Sequence, residues 1–286
     1  MIKNQIKTVL LLGILTGIFL AIGALVGGRT GLLFGLLFAG GMNFFSYWFS
    51  DKIVLAIYKA KEADRNKYPN LYNMVEEIRH SASLPMPKVY VIEMAQSNAF
   101  ATGRNKNHAA VAVTTGLLNI LNDNELKGVL AHEMGHIKNK DILISSIAAT
   151  IAGVISYIAM MARWSAIFGG FGGRDNEGSG NIIELLALAI IAPIMAMIIQ
   201  FAISRSREFL ADETGAKLVR DPFSLASALE KIEKNVSHHP FRRQGTTEAT
   251  AHMFISNPLK GASFLELFST HPTTKKRVEK LRSMRL

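Results

Sequence analysis

The chain has 286 residues, no cysteine, a net charge of +10, and 49% hydrophobic against 19% charged residues. A charged fraction below the ~25% usual for soluble domains argues against a plain soluble protein and a disordered chain, and the missing cysteines exclude a disulfide scaffold. The deficit is local: 8–28, 30–50, 142–162 and 185–204 hold no Asp, Glu, Lys or Arg, and the 54 charged residues fall in the other 203. That remainder is about 27% charged, an ordinary soluble value, so a pure membrane bundle is excluded too.

A hydrocarbon core of roughly 30 Å takes about 20 helical residues, and the four runs have 21, 21, 21 and 20. The first follows Lys3 and Lys7. It is longer than the roughly 7–15-residue core of a signal peptide, and a second run follows at once, so it reads as a retained anchor. The third holds Ser145, Ser146, Thr150 and Ser156. Hydroxyls suit close packing between membrane helices, the alternative being a buried helix of a soluble core. The fourth contains Pro193, which spans tolerate where neighbours satisfy the freed carbonyl.

Basic residues near span ends mark the cytoplasmic side. Lys3, Lys7, Lys52, Lys59, Lys61, Arg65, Lys67, Lys138, Lys140, Arg205 and Arg207 lie on one side, and only Arg29, Arg163 and Arg174 on the other. Trp48 and Trp164 stand at span ends, where amphipathic rings prefer the interface. The Gly-rich stretch 169–180 reads as an outer tether; it lacks the Gly-Lys-Ser/Thr ending of a phosphate-binding loop. The expected plan is two transmembrane helices in 1–50 (about 8–28 and 30–50), a first cytoplasmic piece at 51–141, a transmembrane hairpin at 142–204 (about 142–162 and 185–204), and a second cytoplasmic piece at 205–286. Two crossings return the chain to its starting side, so the soluble pieces can form one domain, with both termini cytoplasmic in a multi-pass cell (inner) membrane protein.

Within the first piece, Lys52–His80 reads as an amphipathic helix with Leu71, Met74, Val75 and Ile78 at helical spacing. Short strands follow at Lys88–Glu93, near Ala99–Thr102, and at Ala109–Thr114, and helix resumes from Thr115. The second piece reads as mostly helical, ending in a basic helix over about Thr273–Met284. The fold class is thus mainly α, with four transmembrane helices and an α+β domain carrying a small sheet.

The sharpest chemical signal is His132-Glu133-Met134-Gly135-His136. Positions i and i+4 share a helix face, so both imidazoles can reach one Zn²⁺ while Glu133 handles the attacking water. Asn122, Asp123 and Asn124 offer N-caps for that helix. Gly135 costs about 1 kcal/mol of helix propensity against Ala, a cost that close packing would explain. Two histidines and a glutamate on a solvated face are the plain alternative. A catalytic zinc needs a third protein ligand, and Ser204–Asp212 supplies candidates: Glu208 to complete the coordination and Asp212, four residues on, to hold an imidazole from behind. The competing reading pairs these acids with Arg205 or Arg207.

Taken with Ser97–Gly103 and Thr270-His271-Pro272, these segments resemble the HtpX family of membrane-embedded, heat-shock-associated zinc metalloproteases, relatives of the CAAX prenyl endopeptidases. The resemblance covers nearly the whole chain. It implies a zincin-type, gluzincin-like protease domain holding one zinc per chain, with His132, His136 and Glu208 as ligands and Glu133 as general base. It further implies Asp212 as the acid behind a ligand, His271 as a stabiliser of the transition state, and a substrate-binding edge strand including Asn98, Ala99 and Phe100. The implied activity is cytoplasmic-side cleavage of misfolded or damaged membrane proteins in quality control and stress response. The implied partners are protein substrates and the lipid bilayer.

Other signals are weaker. His238, His239 and His252 lie among Pro240, Arg242, Arg243 and Gly245, a polar loop without ligand spacing. The cations at 242–243, 275–277, 280, 282 and 285 match no nucleic-acid module and suit anionic lipid better. A transporter is disfavoured because no run holds an ionisable residue in its interior. Two alternatives stay open: a membrane chaperone or adaptor without proteolytic activity, and a prenyl-CAAX-type processing protease.

Overall fold

Helical geometry runs from Ile2 to Ile57 (α1, 56 residues), yet a straight helix of that length would extend about 84 Å at 1.5 Å per residue. The computed structural model, which describes residues 2–151, 205–238, 254–255 and 272–286, folds it back on itself. The rings of Phe19 and Phe38 lie 4.8 Å apart, and Asn43 Nδ2 donates to Thr16 Oγ1 at 2.8 Å. Both pairs are centred near Gly28, whose φ of +53° is the left-handed conformation glycine enters without steric cost. The first two apolar runs are therefore the arms of a hairpin. Its second arm, Gly28–Ile57, is among the described residues the one helix long and apolar enough to cross a membrane; Val9–Ala21 and Ile142–Ile151 (α5) are shorter apolar helices. On the second arm Leu32, Leu33, Phe34, Leu36, Leu37, Phe38, Phe44, Phe45 and Trp48 are exposed.

The second arm continues past residue 50 without a break and ends at Ile57. This corrects the expectation of one helix over Lys52–His80. Lys59, at φ +50°, closes the arm as a Schellman cap, with Ala60 N–H on the Leu55 carbonyl and Lys59 N–H on that of Ala56. A two-residue strand β1 (Lys61–Glu62) precedes α2 (Pro69–Ala82). The remaining elements are β2 (Lys88–Ile92), β3 (Ala99–Gly103), a 3₁₀ turn at Lys106–His108, β4 (Ala109–Thr114), α3 (Thr115–Ile120), α4 (Asp123–Lys138), α6 (Arg205–Val219), α7 (Pro222–His238) and α8 (Thr274–Arg282). Outside the described residues lie the end of the third apolar run, the Gly-rich stretch, the fourth run, Trp164, His239, His252 and His271.

The strands form one mixed sheet in the order β1-β2-β4-β3, with β2 and β4 parallel and the other two pairs antiparallel. Alternate residues serve two cores. Val89, Val91, Ala99, Ala101, Val111 and Val113 join the main cluster with Leu71, Val75, Ile78, Val129, Leu130, Met134, Leu225, Leu229 and Leu281. Ile92, Phe100, Ala110 and Ala112 face Val54, Leu55 and Tyr58 at the end of α1. Phe100 packs on Tyr58 with ring centroids 5.3 Å apart. The domain is thus built directly on the apolar hairpin. A third cluster joins Leu11 and Leu15 of the first arm to Ile144, Ile147 and Ile151 of α5.

Candidate metal centre

Asn122 starts α4 with a capping box: its side chain accepts the Glu125 N–H, and the Glu125 carboxylate accepts the Asn122 N–H. Glu125 is further held by Ser227 Oγ and Lys231 Nζ, each at 2.7 Å, which ties the start of the histidine helix to α7. At its other end Lys140, at φ +63°, closes the helix as another Schellman cap. Asp141 N–H bonds the His136 carbonyl at 2.9 Å, so the cap itself returns the Asp141 carboxylate to His136.

α6 crosses α4 at the candidate metal-binding positions. A Cβ on Gly215 would lie 2.7 Å from His132 N, and one on Gly135 would lie 3.1 Å from the Ala211 carbonyl. Two glycines face each other's helix, which accounts for the residue that looked costly inside the HExxH sequence. The approach brings Glu208 to the histidines. His132 Nε2 and His136 Nε2 are 3.2 Å apart, Glu208 Oε2 is 3.8 Å from the first, and Glu208 Oε1 is 3.6 Å from the second. A tetrahedral ion with bonds of ~2.0–2.2 Å spaces its ligands roughly 3.3–3.6 Å apart, so two imidazoles and a carboxylate here fit zinc in both donor type and spacing.

Each imidazole has a carboxylate behind it, the arrangement usual for a ligand histidine, at hydrogen-bond distance for His132 and at ion-pair distance for His136. His132 Nδ1 lies 2.8 Å from Asp212 Oδ1, and His136 Nδ1 lies 3.5 Å from Asp141 Oδ2. Burial works against a charge on His136, but Asp141, Glu208 and Glu133 outweigh it and carry its pKa up to about 9. Asp212 is itself clamped by Arg277, whose Nε and Nη2 donate to Oδ2 and Oδ1 at 2.8 and 2.6 Å. Burial would raise the Asp212 pKa; Arg277 and His132 instead bring it down to about 2. Arg277 Nη1 also donates to the Ile255 carbonyl and stands 3.7 Å from Glu208 Oε2. The guanidinium is only 2% exposed, so it is no part of a lipid-facing cation cluster, contrary to the reading of 275–277. Its signal in the sequence is its place beside Val278 and Leu281 on the buried face of α8.

Glu133 points at the sheet. Its Oε2 accepts the Ala101 N–H of β3 at 2.8 Å, and its buried setting pushes the carboxyl pKa up. β3 stands at the edge of the sheet. Asn98 is buried, with its Oδ1 accepting the Ile255 N–H at 3.0 Å; the Phe100 side chain is buried in the second core. Any substrate contact from residues 98–100 therefore comes from backbone rather than from the Asn98 or Phe100 side chains.

Two histidines four residues apart on one helix, a carboxylate from a second helix, and an intervening glutamate held at a sheet edge define a metallopeptidase. Residues 65–285 match the model of Peptidase family M48. The chain is 55% identical to a "Protease HtpX homolog" of Persephonella marina over 98% of its own length and 97% of that protein, and 54% identical to one from Aquifex aeolicus over 85% and 80%. The crystal structure of S. mikatae Ste24p shares the fold, with a TM-score of 0.51 at 20% identity over 98% of this chain and 66% of that one. The chain belongs to peptidase family M48, is a hydrolase of peptide bonds, and resembles the HtpX proteases over nearly its entire length.

Proposed function

We propose that the protein is a membrane-bound, zinc-dependent endopeptidase that cleaves misfolded or damaged membrane proteins at the cytoplasmic face, with four spans and both termini on that side. The observation carrying this reading is the convergence of His132, His136 and Glu208 beside Glu133, on a domain packed against the end of an apolar hairpin. Exposed large side chains along Gly28–Ile57 are costly in water and natural in lipid. When bound, zinc supplies Lewis acidity that makes water a better nucleophile and a peptide carbonyl a better electrophile. Glu133 takes one proton from the attacking water and delivers it to the amine that leaves when the C–N bond breaks. A buried carboxylate with a raised pKa is a stronger base than an exposed one, which suits that task. Asp212 and Asp141 fix the two imidazoles, and Arg277 fixes Asp212. His271, outside the described residues, takes the part of a donor to the developing oxyanion. Backbone pairing along β3 favours broad specificity, because main-chain hydrogen bonds read little of the side-chain sequence.

The test uses full-length protein in detergent with casein as the unfolded substrate. Wild type should hold one zinc per chain and cleave. Glu133→Gln should keep the zinc and lose at least about 10³-fold in rate, the scale of a missing general base, while His136→Ala should lose both metal and activity. Wild-type protein without zinc, or full activity in Glu133→Gln, overturns the assignment. Prenylated and plain peptides run side by side separate general cleavage from CAAX-type processing.

A further inference from the structure

The strand that holds Glu133 is fastened at its far end to the third apolar run. In β3, Phe100 and Thr102 alternate with Ala99, Ala101 and Gly103 in facing β4, so the N–H groups of Ala101 and Gly103 share the outer edge. Ala101 donates to Glu133 at 2.8 Å. Gly103 donates to Ser146 Oγ of α5 at 3.1 Å. Thr102 Oγ1 lies 2.8 Å from the same oxygen, and Ser146 Oγ lies 2.7 Å from the Ile142 carbonyl. A hydroxyl has one proton and two lone pairs. One assignment satisfies all three contacts: Ser146 donates to Ile142, and Thr102 and Gly103 both donate to Ser146. The oxygen is then saturated, and Ser146 is fully buried.

α5 meets the metal centre a second time through its first residues. Asp141, immediately before Ile142, faces His136 Nδ1, and only Asn139, Lys140 and Asp141 separate α4 from α5. α5 and the residue immediately before it thus carry both the acid behind one histidine and the anchor of the strand that orients Glu133. Ser146 is five residues from Asp141, about one and a half helical turns, so the two restraints lie on one short segment.

We propose that Ser146 is a positioning residue for peptide hydrolysis: its hydroxyl fixes the end of β3 and thereby sets the Ala101 N–H, and Glu133 with it, against the two histidines. This deepens the endopeptidase reading and rests on it. It also explains one of the four serine and threonine side chains of this run, Ser146, by a contact with the domain, where packing between membrane helices was the expectation. Removing the oxygen leaves the Gly103 N–H and the Thr102 hydroxyl without their acceptor, and β3 can then shift along α5. Misplacement of that order is sufficient to slow a reaction by one to two orders of magnitude.

The experiment uses the full chain in detergent, with kcat and KM for an extended fluorogenic peptide, zinc content, and thermal midpoint measured on each variant. Ser146→Ala should lower kcat about 10-fold, with KM within about two-fold of wild type and zinc still one per chain. Ser146→Thr, which keeps the oxygen, should recover most of the rate. Thr102→Val removes one of the two donors and retains the Gly103 contact, so it should fall between them and remains informative if Ser146→Ala is not recovered folded. An unchanged kcat in Ser146→Ala, a loss confined to thermal midpoint, or no recovery in Ser146→Thr overturns the proposal. So does a wild-type kcat in Thr102→Val when Ser146→Ala does not fold. A wild type that does not cleave fails the endopeptidase reading itself, a separate result.

Discussion

Arg277 is the residue on which most of the buried charge converges: it clamps Asp212 with two hydrogen bonds and stands near Glu208. A buried carboxylate that loses its cation costs about 3–5 kcal/mol, so Arg277→Met should lower stability by about that amount in chemical denaturation. It should also weaken zinc binding 10- to 100-fold, the usual effect of loosening a group behind a ligand. Arg277→Lys keeps the charge and loses the planar fork, and should fall between. At His136 the expected readout is pH. With its pKa at about 9, the metal-free ring carries a proton at neutral pH, and zinc must displace it. Apparent zinc affinity should therefore rise about tenfold per pH unit from pH 7 towards 9 and flatten above, as competition with a chelating dye would measure. Asp141→Asn removes the leading cause of the upward shift and should move the plateau to lower pH.

At the scale of elements, the candidate metal centre is a helix crossing. α4 supplies two candidate ligands and α6 a third, and Gly215 lets them meet with no side chain between His132 and the α6 backbone. Gly215→Ala would place a Cβ 2.7 Å from His132 N and 2.9 Å from the Ala131 carbonyl carbon. Backbone atoms cannot rotate away, so the helices must separate. The expected cost is about 1–3 kcal/mol, typical of overpacking, with zinc content falling below one per chain. The same change at exposed Gly40 meets nothing within 4 Å and serves as the control, where Ala gains up to about 1 kcal/mol of helix propensity. A Gly215→Ala variant with wild-type zinc content would show that the crossing tolerates separation.

For the whole molecule, the proposed topology places the domain on one side of a bilayer and 169–180 on the other. The chain contains no cysteine, so single introduced thiols report without background. Lys61→Cys, at an exposed site on β1, should react with a membrane-impermeant maleimide only after the cytoplasmic face is opened. Gly172→Cys should react from the outer side of intact cells. Labelling of both from one side would refute an odd number of crossings between them.

Much of the site was legible locally. The HExxH spacing, the caps at Asn122–Asn124, the three main strands and the pairing of Glu208 with Asp212 depend on residues a few positions apart, where helix and strand periods fix which side chains share a face. The candidate metal-binding trio brings together residues 76 apart in the chain, His132 and Glu208, and each half carries its own helical signature. What the sequence left open involves partners with no local period to announce them. Arg277 looked like one surface cation among many until α8 packed against α6 and buried it. Asp141 gained its contact from a cap geometry, and Lys52–Ile57 continue an apolar helix that does not stop at its charged residues. Composition and spacing pointed to an apolar-anchored chain with His132, Glu133, His136 and Glu208 as the candidate metal-site residues. Tertiary structure decided how they are held, because burial makes each charge depend on a partner that only folding brings near.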